Sequence, residues 1–149
     1  MLLATLAVLP LAGQNKAAIA TATVKGPLAA KRGTKIVAPV QVKLRTGYHV
    51  NSNTPSDKYL IPLKLTWDRG ALQTGESQYP KPVLRKYPFS EQKLSVFEGD
   101  FAIEQEFTVP ANAMQGFGAM TGKLRYQACT ESECYPPATA PVRVSYDIR

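Results

Sequence analysis

The chain has 149 residues, 44% of them hydrophobic, which is enough for one packed core and too little to argue for two. Its formal net charge of +7 is spread along the sequence. Lys31-Arg32 and Arg85-Lys86 are the adjacent basic pairs and no aromatics interleave them, which argues against a nucleic-acid platform and for a solvated basic surface.

Met1 to Ala12 is an apolar run with the length of a signal-peptide core, too short to span a bilayer. Small residues follow it. The expectation is a signal peptide over 1–20, cut after Gly13 or after Ala20, then a single domain over 21–149 outside the cytoplasm. No Lys or Arg precedes the run, a departure from the usual secretory pattern, and no cysteine follows it to carry a lipid anchor.

Twelve prolines and ten glycines interrupt the chain too often for long helices, and the segments between them favour Val, Thr, Tyr and Phe. Ala20 to Lys25 reads as a first strand and 31–34 as a turn. Ile36, Ala38, Val40, Val42 and Leu44 then alternate with polar or smaller neighbours, the period of a half-buried strand, with Pro39 marking an edge or bulge. Tyr48 to Val50 continues toward a polar loop over 51–57, and Ile61 to Trp67 is the next strand, with Trp67 a core anchor. Tyr79 to Glu91 holds Tyr79, Tyr87, Phe89 and three prolines without periodicity and reads as an extended loop over the sandwich. Lys93 to Phe97 and Phe101 to Val109 flank Glu98-Gly99-Asp100, which reads as a hairpin turn. Gly116 and Gly118 fall in the next connection. Lys123 to Ala128 and Val142 to Ile148 are the last strands. About eight short strands with turns at this spacing predict an all-β, immunoglobulin-like β-sandwich.

Cys129 and Cys134 are the two cysteines of the chain, five positions apart in the connection between those last strands. A pair this close can close a disulfide across a loop neck, and such a bridge is either a staple or a reagent. As a staple it is weak, because a loop of about six residues adds only about 2 kcal/mol against about 5 for one of about a hundred. A loop tip also gives a partner thiol the access that exchange needs. Two free thiols or a metal site are the other readings. Two cysteines and one distant histidine, His49, do not fill a structural zinc site, so no metal and no cofactor is expected. The two-residue spacing of a thioredoxin motif is absent, and Glu131 and Glu133 would raise a thiol's pKa by repulsion.

The string Tyr126-Gln127-Ala128-Cys129 through Cys134-Tyr135-Pro136-Pro137, after Gly122-Lys123-Leu124, resembles the N-terminal periplasmic domain family of the thiol:disulfide interchange protein DsbD. Gly47-Tyr48-His49-Val50-Asn51-Ser52-Asn53, Leu60-Ile61-Pro62, Tyr79-Pro80-Lys81-Pro82 and Val96-Phe97-Glu98-Gly99 follow in family order. The resemblance implies an immunoglobulin-like domain that takes electrons from a thioredoxin-like donor, itself charged by a membrane relay, and delivers them to periplasmic thioredoxin-fold acceptors for disulfide correction or cytochrome c maturation. It makes Cys134 the sulfur that meets partners and Cys129 the one that resolves the mixed disulfide. Phe97, with Glu98 and Gly99, corresponds to a cap loop that shields the cysteines. His49 and Asn51 stand where family members carry tyrosines, and Tyr135 adjoins Cys134, so all are candidate neighbours of the site. Because the sequence stops at Arg149, the relay is expected on a separate chain and the domain as a monomer. The rival reading is a secreted immunoglobulin-like scaffold with a permanent disulfide and the 79–91 segment as its binding surface.

Overall fold

The computed structural model describes residues 18–149, so most of the expected leader, residues 1–17, lies outside the described residues. Twelve strands form three four-stranded sheets, and there is no helix among the described residues. The strands are β1 (Ala20–Thr23), β2 (Leu28–Ala30), β3 (Lys35–Leu44), β4 (His49–Asn51), β5 (Lys64–Trp67), β6 (Gln73–Gln78), β7 (Val83–Arg85), β8 (Leu94–Glu98), β9 (Phe101–Thr108), β10 (Gly116–Tyr126), β11 (Ala128–Cys129) and β12 (Ala138–Ile148). The sheet orders are β1-β3-β9-β6, β2-β12-β10-β5 and β11-β4-β8-β7.

The alternation read in residues 36–44 is the inner face of β3, where Ala38, Val40 and Val42 are fully buried. Val40 and Val42 pack with Leu65, Leu124 and Val142 of the β12-β10-β5 sheet in one core, and Ala38 belongs to the second. The third sheet completes the first core with Val50, Phe97 and Ala128, whereas Phe107, Met120, Val144 and Tyr146 fill the second. Pro39 pairs with Glu104 on β9, and β1 ends opposite Gln41, so no β1 residue is paired with the prolyl nitrogen's strand position.

Trp67 is half-buried rather than deeply buried. Its ring meets Phe107 edge-on at 5.0 Å, and its Nε1 donates to Gln105 Oε1 at 2.8 Å. A side chain on Gly122 would stand 2.7 Å from that indole, so the glycine lets the ring lie against β10. Gln105 is the polar residue inside this region, and its amide is satisfied by donating to Gly75 O and Glu106 O.

Several sequence expectations are corrected. The stretch 98–100 is not a hairpin turn: β8 and β9 belong to different sheets, and Gly99, at φ 65°, bends the chain from one to the other. The 79–91 segment is not wholly irregular, since β7 lies inside it and pairs with β8. Gly116 and Gly118 belong to β10 rather than to a connection. β2 and β6 were not expected. β6 contains no large apolar residue because it is a sheet edge, so the alternation that reveals a strand is missing.

Candidate functional site

β10 and β12 pair without a shift from Gly116↔Ile148 to Tyr126↔Ala138, and residues 127–137 form the tip of this long hairpin. The tip is itself built like a miniature ladder. Tyr135 N donates to Ala128 O at 2.9 Å and Thr130 N donates to Glu133 O at 2.8 Å, and the two cysteines oppose each other between these bonds. Such a rung without its own hydrogen bonds brings Cα atoms closest, about 4.5 Å in an ordinary sheet. Here the separation is 4.0 Å, and Cys129 and Cys134 are joined as a disulfide. Thr130 Oγ1 accepts from Ser132 N and Glu133 N, which fixes the turn that presents the pair.

The two sulfurs sit in different surroundings. Cys129 is 0% exposed, locked into β11 against β4, whereas Cys134 is exposed. Behind the tip, Gln127 acts as a brace: its Oε1 accepts from Asn51 Nδ2 at 2.9 Å and from Ile61 N at 3.2 Å, and its Nε2 donates to Tyr135 O at 3.3 Å. Asn51 therefore holds the base of the loop rather than facing the sulfurs' surroundings as a free group. Its Oδ1 is buried without a partner.

Register sorts the remaining residues by face, because directly opposed residues on neighbouring strands project to the same side. Cys129, His49 and Glu98 form one row across β11, β4 and β8, and Ala128, Val50 and Phe97 form the next. The first row lies on the outer face and the second enters the core. Phe97 is thus brought to the face opposite Cys129, 4% exposed, with its ring 4.7 Å from Phe101. Gly99 and the Gly47–Tyr48 turn line one surface cleft.

The aromatic cover on the outer face comes from elsewhere. Tyr87 stacks on His49 at 4.1 Å, and Phe89 stacks on Tyr87 at 5.5 Å. Tyr87 Oη donates to Glu98 Oε1 at 3.2 Å, and Arg85 Nε pairs with the same carboxylate at 3.1 Å. Burial, with Glu98 beside it, pushes the Tyr87 hydroxyl well above its ordinary range. Burial also lowers the His49 pKa, against the smaller opposing pull of Glu98 and Glu131. Its Nε2 is buried and unpartnered. Around the exposed sulfur, Tyr135 lies 5.9 Å from Tyr48, the Arg45 guanidinium covers the Tyr48 ring at 5.2 Å, and Tyr135 Oη donates to Glu133 at 3.0 Å. That hydrogen bond raises the Tyr135 pKa. Tyr87 and Gln127 were missed in the sequence. Gln127 stood inside the cysteine motif, but Tyr87 reaches the site only through the pairing of β7 with β8.

A β-sandwich whose longest hairpin ends in a disulfide, one cysteine buried and one exposed, defines the class: an immunoglobulin-like domain with a tip-mounted cysteine pair. The chain belongs to the family described as the N-terminal domain of the thiol:disulfide interchange protein DsbD, whose pattern matches residues 17–145. Among solved structures it is similar to the N-terminal periplasmic domain of ScsB from Proteus mirabilis, with TM-score 0.55 and 12% identity, over 84% of this chain and 44% of that one. A looser likeness joins it to a cohesin module from a family 33 glycoside hydrolase of Clostridium perfringens, with TM-score 0.46 and 10% identity, over 88% of this chain and 98% of that one. At these identities the likeness is of fold alone. No curated protein matches the sequence.

Proposed function

We infer that this domain carries reducing equivalents by reversible opening of the Cys129–Cys134 bond, in the periplasm or an equivalent exported setting. A thioredoxin-like donor reduces it, and thioredoxin-fold proteins accept its electrons. The observation that carries this reading is the unequal exposure of the two sulfurs. In the delivering direction, the Cys134 thiolate attacks one sulfur of the partner's disulfide and the partner's other sulfur leaves as a thiolate that takes up a proton. Cys129 then loses its proton and attacks Cys134, forming the intramolecular bond and releasing the second partner thiolate, which is protonated in turn. Two electrons and two protons pass to the partner. Family membership supports the chemistry, and the hydrogen-bonded tip supports a loop that keeps its shape in both redox states.

Serine variants test the division of labour. Each reduced variant is mixed with an oxidised thioredoxin-fold protein and resolved on a non-reducing gel. Cys129→Ser is expected to accumulate a covalent heterodimer and Cys134→Ser to give little. Equal trapping, or the reverse, would remove the assignment of roles, and no exchange at all by the wild type would favour a permanent structural bridge.

A further inference from the structure

We propose that His49 is the proton acceptor for Cys129 in the resolving step, so that the buried sulfur is activated from within the domain rather than by solvent. The inference rests on the interchange reading above. Resolution requires Cys129 to become a thiolate, and an exposed thiol would lose its proton to water. Cys129 has no exposed surface, so its proton needs a protein acceptor.

The groups that face this place can be taken in turn. His49 is directly opposite Cys129 in the β4–β11 register, which sets their Cβ atoms about 5 Å apart. Its far neighbour in the same row is Glu98 on β8, but that carboxylate already receives Arg85 and the Tyr87 hydroxyl. Tyr87 covers the imidazole and is a poor acceptor while it carries its own proton. Glu131, on the cysteine loop, is exposed to solvent, and Tyr48, beside His49 in sequence, turns its ring toward Tyr135 and Arg45. His49 Nε2 and Asn51 Oδ1 are the buried polar atoms of β4 without a partner, and of the two only the imidazole nitrogen is basic enough to take a thiol's proton. With the proton on Nδ1, that nitrogen offers a lone pair.

The electrostatics suit a base. Burial keeps the imidazole neutral near pH 7, ready to accept, and the two carboxylates that pull the other way, Glu98 and Glu131, would stabilise the imidazolium once formed. In atoms, the Cys129 sulfur–hydrogen bond breaks and a hydrogen–Nε2 bond forms. The sulfur's electron pair attacks Cys134, the bond from Cys134 to the partner breaks, and the imidazolium's proton goes to the departing partner thiolate or to solvent. No further oxidant or reductant is consumed.

The test follows the reduced full chain reacting with equimolar dithionitrobenzoate, whose two released thiolates report the two steps separately. The first phase is the attack of Cys134 and the second is resolution by Cys129. In the wild type the second phase is expected to be flat from about pH 6.5 to about pH 8, because neutral imidazole is the acceptor across that range. In His49→Gln it is expected to be at least about tenfold slower at pH 7 and to climb about tenfold per pH unit, as hydroxide takes over, with the first phase little changed. A wild-type second phase that itself climbs in that way overturns the proposal without any variant, and so does a variant in which both phases slow alike. Release of only one thiolate equivalent by the wild type would instead overturn the resolving role of Cys129, and with it the interchange reading.

Discussion

Phe97 and His49 sit one position either side of the same rung boundary, and that single step decides their surroundings. In a strand, a shift of one residue exchanges core for outer face. Phe97 therefore packs with Val50, Ala128 and Phe101 beneath the sheet, and His49 stands in the row of Cys129 above it. Truncating the buried ring is expected to behave as a core deletion: Phe97→Ala should cost about 3–5 kcal/mol in urea unfolding. Alkylation of the exposed Cys134 in the reduced folded protein should remain at the wild-type rate. A stable variant with faster alkylation would assign Phe97 the shielding role that the family resemblance implies. Sequence alone could list the aromatic and the histidine as neighbours of the cysteines, but the side each one faces came from the register of β4 against β8.

At the scale of the element, the cysteine tip does not depend on its covalent bond to exist. β11 is paired with β4, the Tyr135 and Thr130 amides close the ladder on either side of the sulfurs, and Gln127 ties the neck to Asn51 and Ile61. Opening so short a loop restores little chain entropy to the unfolded state, so reduction is expected to lower unfolding free energy by only about 2 kcal/mol. Amide exchange at Tyr135 and Thr130 should stay slow in the folded reduced protein. Collapse of the fold on adding a dithiol reductant would show that the bridge is structural. The motif around the cysteines was plain in the sequence because its residues are contiguous. β6 and β7 were not plain: one is an exposed edge with no apolar alternation, and the other is three exposed residues that gain strand geometry only by hydrogen bonding to β8.

For the molecule as a whole, the buried histidine links the site to stability. Its folded pKa lies below the ordinary value of 6.5, so between the two values the unfolded chain binds a proton that the folded chain refuses. Stability is therefore greatest above that window and is lost as pH falls through about 6.5 toward the folded pKa, levelling off below it. Urea midpoints at about pH 7.5, 6.5 and 5.5 should decline for the wild type at constant slope, and His49→Gln should flatten the decline. A wild-type midpoint that rises on acidification through this range would reverse the assignment.

Composition and periodicity by themselves determined an all-β sandwich with a cysteine pair between its last two strands, because apolar alternation and short-range motifs are local properties of the chain. The tertiary structure decided what long-range pairing alone can decide. It set Cys129 under cover and Cys134 at the surface, turned Phe97 into the core, carried the 98–101 bend between sheets instead of closing a hairpin, and brought Tyr87 over His49. Those relations depend on the register and on the face of strands distant in sequence, and a one-residue slip in either would have produced a different site from the same residues.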